Sequence, residues 1–398
     1  MPQQAPWSST HPFIGFELNV ETIPAETWAL LGECSSKLDH IANIPLKPKV
    51  QARLSRIYLA RGAHGTTAIE GNTLSEKEVV QRIAGKLPLP DSLEYHGAAV
   101  DNIVKCYNEI IARLVDNRTS PVCNGDIAKM NREVLEGLPV EDGVTPGEFR
   151  SGGVGVGNYG APERRHVEEL MDRFCRWMNN EVWEQQNNFP RHTFTILKAI
   201  VAHVYFAWIH PFGDGNGRTA RLIEFDILTR HGAPPMSAHV LSDYYNRTRP
   251  EYYRALDRAR MGIRHFVAYA VKGLAEGLRE QLTLILRYQV HLAWESFVSE
   301  RFKRLPSSAP NNRRRLLAIE LAGKDRPQPI RKLPELSVEL AALYGTEQRK
   351  VQRDVNNLIR LGLVRRQGGG VVAATDAVRS FIPFNRRVTS APEIPTAV

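Results

Sequence analysis

The chain has 398 residues, of which 42% are hydrophobic and 24% are charged, which is enough material for two or three folded domains. Its first ten residues are polar, it contains no apolar run of membrane-spanning length, and its cysteines are scattered without a CxxC pair. These features exclude a disulfide-rich secreted scaffold and a membrane protein, and they predict a soluble cytoplasmic protein with reduced cysteines at Cys34, Cys106, Cys123 and Cys175.

The net charge of +9 is unevenly distributed along the chain. From residue 301 onward there are 19 basic and 8 acidic side chains, a net charge of +11, so the rest of the chain is slightly acidic. Any contact with a polyanion is therefore expected in the last hundred residues.

The first 99 residues contain one clear helix boundary. Residues 50–63 are compatible with a helix, and Gly71 supplies its stop. Ser75 and Glu78 have the spacing of a capping box, which predicts that the next helix begins there. Residues up to about 45 form an extension to which the sequence assigns no role.

A glycine-rich stretch follows at residues 147–162. Gly147-Glu-Phe-Arg150 precedes Ser-Gly-Gly-Val-Gly-Val-Gly-Asn-Tyr-Gly-Ala-Pro162. Valines that alternate with glycines predict a short exposed edge strand, and a flexible loop is the alternative.

Residues 194–209 are apolar almost all round, which predicts a buried helix. Lys198 and His203 interrupt the pattern, and we expect His203 to be a hydrogen-bonded core histidine. A metal pair of His203 with His210 is the less favoured alternative.

The most informative segment is His210-Pro-Phe-Gly-Asp-Gly-Asn-Gly-Arg-Thr-Ala-Arg221. Its three glycines allow tight or left-handed backbone that turns N–H groups inward as an anion-binding nest, and the residues after Asn216 predict a helix N-terminus. Arg218 and Arg221 lie three residues apart on its first turn and can grip phosphate oxygens together.

Two other side chains complete the chemistry of this segment. Asp214 offers a carboxylate of the kind that Mg²⁺ prefers, and His210 can accept a proton from a hydroxyl group. A plain turn between two helices would leave both arginines and the carboxylate unexplained. A P-loop is excluded because no GKS or GKT follows the glycines.

This segment resembles the Fic family motif HPFx(D/E)GNGRxxR at every specified position. The resemblance implies an all-α Fic fold with a short β-hairpin flap, and transfer of AMP from ATP, with Mg²⁺, to a Ser, Thr or Tyr hydroxyl of a target protein. It also implies self-modification. By the same resemblance His210 is the general base, Phe212 anchors the loop, Asp214 holds Mg²⁺, and phosphate groups lie on Gly215, Asn216, Gly217, Arg218 and Arg221.

The resemblance extends to other segments. Thr66 to Gly71 matches the (S/T)xxxE(G/N) inhibitory motif, which implies that Glu70 competes with the γ-phosphate for Arg221. It implies that Val154, Gly155 and Val156 form the flap that pairs with the backbone of the target. It makes Tyr253 a candidate for packing on adenine, with ordinary helical core packing as the alternative.

The last part of the chain changes character. Helical patterning covers about 265–302, residues 306–312 read as a linker, and further helices are expected over 313–321, 337–343 and 346–361, with Thr346 as an N-cap. Two short strands around a glycine turn follow over 363–374. Helix, turn, helix and hairpin resemble a winged helix domain.

That resemblance makes the exposed polar residues of the 346–361 helix candidates for nucleic-acid contact, namely Arg349, Gln352, Arg353 and Asn356, with Arg365 and Arg366 near phosphates. A protein-interaction or dimerisation module is the equally weighted alternative, so DNA, a protein and a second copy of the chain are candidate partners.

The predicted organisation is an N-terminal region (1–99), a Fic catalytic core (100–262), a connecting helix (263–305) and a winged helix domain (311–387). The favoured function is an adenylyltransferase autoinhibited by Glu70. Two alternatives remain: an enzyme that removes AMP with Glu70 as a catalytic residue, and a DNA-binding regulator whose Fic domain senses nucleotide.

Overall fold

The structure, a computed structural model, describes residues 6–117, 120–156, 159–180, 189–324 and 326–379. Contacts divide the chain into two compact units, residues 1–279 and 280–397. Within the described ranges, no helix is both long and apolar enough to cross a bilayer.

The first unit is mostly helical. Its helices are α1 (Ala25–Asn43), α2 (Pro48–Ile69), α3 (Glu76–Ile83), α4 (Glu94–Val115), α5 (Asn124–Val134), α6 (Val167–Met178), α7 (Thr193–Ile209), α8 (Asn216–Arg230), α9 (Pro235–Ala238), α10 (Val240–Arg247), α11 (Arg249–Ala259) and the first part of α12 (Arg264–Lys303).

Helix α7 is the centre of this unit, as its all-round apolar sequence predicts. Nearly all of its side chains are buried, and its neighbour along the chain, α8, is buried over most of its length. The His203 Nε2 atom lies 2.9 Å from the Tyr252 hydroxyl in the core. The expectation of a hydrogen-bonded core histidine is therefore confirmed.

Helix α2 is held very close to α10. A Cβ atom at Gly65 would lie 2.6 Å from the carbonyl oxygen of Ser242, and one at Gly62 would overlap the ring of His239. Two glycines three residues apart therefore allow this backbone approach. The helix ends before Gly71, whose φ of 93° suits glycine, and the predicted capping box at Ser75 is present.

A two-stranded antiparallel hairpin supplies the predicted flap. Strand β1 (Gly155–Val156) pairs with β2 (Tyr159–Gly160), with Gly155 opposite Gly160. The edge-strand prediction is confirmed over these residues.

The second unit contains the last part of α12, then α13 (Ala309–Leu321), a 3₁₀ segment (Ile330–Leu336), α14 (Val338–Tyr344), α15 (Gln348–Arg360), the antiparallel pair β3 (Val364–Gln367) and β4 (Gly370–Ala373), and α16 (Asp376–Arg379). Its core includes Val351, Val355 and Leu358, which lie at the helical spacing i, i+4 and i+7 on one face of α15. Residues 380–387 of the predicted winged helix domain lie outside the described residues.

Two expectations for this unit are wrong in detail. The linker predicted over 306–312 is shorter, because Ser308 accepts a hydrogen bond from the Asn311 N–H and starts α13 at Ala309. Thr346 is not the N-cap of α15, since the helix begins at Gln348 after Glu347, without a side-chain cap.

A buried carboxylate ties the helices of this unit together. Asp354 is 1% exposed and accepts hydrogen bonds from Arg313 and Arg314 at 2.7 Å each and from the Tyr344 hydroxyl at 3.2 Å. Helix α15 is thereby fixed against α13 and α14.

Candidate active site

The loop between α7 and α8 is shaped by its own side chains. The Asn216 side chain accepts a hydrogen bond from the Phe212 N–H at 3.0 Å and donates one to the Phe212 carbonyl at 2.9 Å. Phe212 itself is 1% exposed, and Gly215 has a φ of 76°, which glycine adopts without strain. The loop is therefore a closed turn that leads into the N-terminus of α8.

His210 ends α7 in a left-handed conformation, with a φ of 48°. Such a conformation is uncommon for a residue with a side chain, and it typically marks a functional position. Its Nδ1 atom lies 3.4 Å from the Ala207 carbonyl, which can only accept, so Nδ1 carries the proton. Burial lowers the pKa of His210, which leaves a neutral ring whose Nε2 can accept a proton.

Arg150 fixes the backbone of the turn at residues 210–212, and its role was not predicted. Its Nε donates to the His210 carbonyl at 2.8 Å, and its own N–H donates to the Pro211 carbonyl at 2.9 Å. The neighbouring residue Phe149 forms a β-bridge with Phe212. The only sequence signal was the position of Arg150 directly before the glycine-rich stretch.

Arg221 is 1% exposed and is held from one side by α2. Its Nε donates to the Thr66 hydroxyl at 2.7 Å, and its Nη2 donates to the Thr66 carbonyl at 3.0 Å and to Glu70 Oε1 at 2.6 Å. Among the described atoms, its buried Nη1 has no hydrogen-bond partner. A fully buried guanidinium with a free donor is suited to an anion.

Arg218 lies one helical turn before Arg221, as its spacing predicts. Its Nη2 is 3.4 Å from Asp214 Oδ1, its Nη1 is 3.5 Å from the Val134 carbonyl, and its buried Nε has no partner in the described part of the chain. The two arginines and the N-terminus of α8 concentrate positive charge at one place.

Glu70 occupies the space in front of these arginines. Burial alone would raise the pKa of its carboxyl group, but the charge of Arg221 and its hydrogen bond lower the pKa below the ordinary value. A Cβ atom at Gly217 would lie 2.2 Å from Glu70 Oε1, so the carboxylate rests directly on the first turn of α8.

A cavity of about 530 Å³ opens in front of His210. Most of its lining is apolar or aromatic, and its polar groups converge from α2, α8 and α11, a composition typical of small-molecule sites. Its lining residues are Ile69, Glu70, Tyr159, Ala207, Trp208, His210, Asn216, Gly217, Arg221, Tyr252, Tyr253, Leu256, Asp257 and Arg260.

Tyr253 lines this cavity and is 42% exposed, whereas its neighbour Tyr252 is 3% exposed and bonds to His203. The core-packing alternative therefore describes Tyr252, not Tyr253. Leu256 of α11 and Arg260, the residue that follows the helix, line the same cavity because they follow Tyr252 and Tyr253 at helical spacing.

A second cavity of about 320 Å³ shares Glu70 with the first. Asp214 and Arg218 line it, and the Asp214 side chain is 43% exposed. Within the described residues, no group of three or more His, Cys, Asp or Glu side chains is placed so that it could hold a metal ion.

The polar side chains predicted to contact nucleic acid lie together in the second unit. Arg349, Arg353 and Asn356 are exposed on α15, and Gln352 is half-buried. Asn356 Oδ1 accepts hydrogen bonds from Gln352 at 3.1 Å and from Arg366 at 3.4 Å, while Arg365 pairs with Asp376.

Residues 121–228 match the model of the Fic/DOC family. This range includes the flap, α7, the loop that carries His210, and most of α8. The region is thus a Fic domain: a mostly helical Fic fold with a small antiparallel strand pair, as the sequence resemblance implies.

Proteins named protein adenylyltransferase are similar in sequence to this chain. The chain is 33% identical over 214 residues to protein adenylyltransferase fic-1 of Caenorhabditis elegans, covering 52% of this chain and 38% of that protein. It is 31% identical over 229 residues to protein adenylyltransferase Fic of Drosophila melanogaster, covering 56% of this chain and 41% of that protein. The chain thus spans about two fifths of the length of these relatives.

Solved structures match the fold. A fragment of Fic-1 from C. elegans aligns with a TM-score of 0.55 and 26% identity, over 66% of this chain and 73% of that one. A Fic family protein from Desulfovibrio desulfuricans aligns with a TM-score of 0.54 and 21% identity, over 87% of this chain and 93% of that one.

Proposed function

We propose that the protein transfers AMP from ATP to a hydroxyl group of a target protein, and to its own chain, and that Glu70 inhibits this reaction. The observation that carries the proposal is the pair of buried, incompletely bonded arginines, Arg218 and Arg221, beside the catalytic turn of His210. The relatives named adenylyltransferase align over this region.

In the proposed reaction the hydroxyl oxygen of the target attacks the α-phosphorus of ATP. A new O–P bond forms, the bond from the α-phosphorus to the oxygen bridging to the β-phosphate breaks, and pyrophosphate leaves. His210 Nε2 accepts the hydroxyl proton, since its Nδ1 proton is directed at Ala207. Such reactions depend mainly on positioning and charge neutralisation.

The phosphate groups are assigned to the N-terminus of α8. The N–H groups of Asn216 and Gly217 hold the α-phosphate beside Gly215, whose own N–H donates to Asp214 Oδ1, and Arg218 and Arg221 hold the leaving pyrophosphate. The Asn216 side chain contributes indirectly, because both of its hydrogen bonds hold the loop at Phe212. Tyr253 packs on the base at the rim of the 530 Å³ cavity.

Mg²⁺ fits one residue of this site. Asp214 has an accessible carboxylate beside Arg218, and Mg²⁺ in phosphate-transfer sites uses one or two carboxylates together with phosphate oxygens. When bound, the ion neutralises charge on the phosphates. Asp214 is then both its ligand and the partner that orients Arg218.

Inhibition follows from competition for one guanidinium. Glu70 bonds to Arg221 at 2.6 Å and occupies the space above Gly217 that a phosphate needs. Thr66 bonds to the same guanidinium, which ties the inhibitory helix α2 to the site. ATP must therefore displace a carboxylate before it can bind productively.

A specific observation also favours removal of AMP as a second candidate. Glu70 lines the same cavity as His210, so its carboxylate could orient a water molecule toward an AMP group bound there. In that reaction Glu70 is required, whereas in the proposed reaction it is inhibitory.

For the C-terminal region we propose a winged helix domain over 311–387, with α15 as its recognition helix and with β3 and β4 as the wing. The four polar residues Arg349, Gln352, Arg353 and Asn356 share its accessible side, and this part of the chain carries the excess positive charge. This is compatible with DNA in a groove, and with an acidic protein partner. The proposed domains are the N-terminal region (1–99), the Fic catalytic core (100–262), the connecting helix (263–305) and the winged helix domain (311–387). The proposed location is the cytoplasm.

The proposed reaction is tested with ATP labelled on either the α- or the γ-phosphate, using the Glu70→Gly variant. Covalent label on protein from α-labelled ATP alone supports adenylyl transfer. Label from γ-labelled ATP would show phosphoryl transfer instead. If neither labels protein but the wild type strips AMP from a modified protein, the second candidate is correct.

A further inference from the structure

The segment ahead of α1 crosses the first unit as a strap, which we define as residues 7–17. At one end Trp7 is 2% exposed, and the Arg173 guanidinium carbon lies 4.8 Å from the centroid of the Trp7 ring. At the other end the backbone of Glu17 exchanges two hydrogen bonds with the Tyr205 hydroxyl, at 3.0 and 2.9 Å. The strap is therefore fixed at both ends.

Between these two ends the strap contacts the flap. His11 Nε2 lies 2.9 Å from the carbonyl oxygen of Gly160 in β2. A carbonyl can only accept, so Nε2 carries the proton and donates it. The same ring meets Tyr159 edge-on, with centroids 5.9 Å apart.

Tyr159 connects this contact to the catalytic turn. Its hydroxyl donates to the carbonyl of Trp208, two residues before His210, at 2.6 Å. Its ring lines the cavity of about 530 Å³ in front of His210. Phe13 of the strap packs against the ring of Trp208, at 4.8 Å between centroids. Strap, flap and catalytic turn thus meet at one aromatic cluster.

The register of the flap shows which of its edges is free. The Ala161 N–H donates to the Val154 carbonyl, so these two residues form a hydrogen-bonded pair. In antiparallel strands hydrogen-bonded and non-hydrogen-bonded pairs alternate, so the backbone groups of the next pair, Gly155 and Gly160, point outward from the hairpin. The outward carbonyl of Gly160 is the one that His11 binds. The strap therefore covers the β2 edge and leaves the β1 edge at Gly155 accessible.

We infer that the strap is a positioning element for transfer: through His11 and Tyr159 it fixes the flap on the catalytic turn and directs an extended target segment to the β1 edge. The inference rests on the proposed adenylyl transfer and goes beyond it, because it assigns a role to the N-terminal extension. An added strand at that edge would pair with the outward N–H and C=O of Gly155.

The test uses His11→Ala and Tyr159→Phe in the Glu70→Gly background, with the His210→Ala protein as a defined acceptor that cannot label itself. Loss of one hydrogen bond should lower label transfer to the acceptor about tenfold. In His11→Ala the affinity for ATP should not change, and the melting temperature should fall by no more than about 2–4 °C, because only one hydrogen bond is lost. His11→Gln, which retains a side-chain N–H donor, should restore most of the transfer.

The control is His40→Ala, an exposed histidine on α1, which should leave transfer unaltered. A second readout does not depend on activity: amide hydrogen exchange at 154–156 and 159–161 should be about tenfold faster in His11→Ala than in the control.

Unchanged exchange in His11→Ala would overturn the inference, as would a loss of transfer that Gln fails to restore. If Glu70→Gly itself transfers no label, the proposed function fails, while the exchange measurement still decides whether the strap holds the flap.

Discussion

Glu70 Oε1 lies 2.6 Å from Arg221 Nη2, and these two residues are 151 positions apart in the chain. Glu70 follows the last residue of α2, and Arg221 lies in the second turn of α8, which begins at Asn216. This contact joins the end of α2 to α8, and two hydrogen bonds from Arg221 to Thr66 reinforce it.

Replacing Glu70 with Gly should increase the affinity for ATP, because the Arg221 guanidinium no longer has a competing carboxylate. A hydrogen bond between charged groups is worth about 1.5–3 kcal/mol, which corresponds to an increase of roughly 10- to 150-fold. Titration calorimetry with ATP measures it. Glu26→Gly on the exposed start of α1 is the control, and equal affinities in the two variants would contradict the competition.

Replacing His210 with Ala should abolish transfer without loss of nucleotide binding. General-base catalysis contributes about 10²- to 10⁴-fold, and the phosphate contacts come from other residues. The measurement is single-turnover label incorporation in the Glu70→Gly background beside an ATP titration. A variant that still transfers label at the reference rate would exclude His210 as the base.

Transfer should depend on pH only on the acidic side of neutrality. Burial lowers the pKa of His210, so the ring stays neutral and able to accept a proton down to below pH 6.5. The pKa of Glu70 is also lowered, so the ion pair with Arg221 is complete above pH 4.5 and is lost only as the pH falls through the lower folded value.

The ratio of Glu70→Gly to wild-type activity should therefore be constant between about pH 7 and 8, since the pKa values of both groups are lowered from ordinary values that already lie below this range. Rate–pH profiles of the two proteins test this. A ratio that falls toward one in that range would show that the inhibitory carboxylate is protonated near neutrality.

Asp354→Ala should destabilise the second unit by about 3–5 kcal/mol, because Arg313 and Arg314 lose the buried carboxylate that both of them bind. Asp376→Ala removes a carboxylate from an ion pair that is more than half exposed and should cost about 0–1 kcal/mol. Denaturant unfolding compares the two. Similar costs would mean that the Asp354 cluster does not fix α15.

If α15 binds DNA, the Arg349→Ala/Arg353→Ala double variant should bind a mixed-sequence duplex more weakly, with a logarithmic salt slope smaller by about two. Arg301→Ala, on α12, is a control for the loss of positive charge. Absence of binding by the wild type at low salt would favour the protein-interaction alternative.

The sequence predicted the parts of the site that come from one continuous segment of the chain. The residues from His210 to Arg221 are contiguous, so their spacing alone placed the two arginines on one face at the start of α8, where the structure has them one turn apart. The apolar pattern of α7 likewise predicted the buried helix that ends at His210.

Contacts made by distant segments were not predictable in this way. Arg150 binds the His210 carbonyl from 60 residues away, and His11 binds Gly160 from 149 residues away. Neither residue has a local motif, because each acts on a backbone carbonyl and not on a patterned partner. A local motif can also mislead: Thr346 is a good N-cap residue, but it lies one position before Glu347, the residue that precedes α15 in the structure.

The most direct test of the account is transfer of α-labelled AMP by wild type, Glu70→Gly and Glu70→Gly/His210→Ala under identical conditions. We expect weak labelling by the wild type, strong labelling by the single variant and none by the double variant. Labelling by the wild type that disappears in Glu70→Gly would show that Glu70 is catalytic and would contradict the inhibitory role assigned to it.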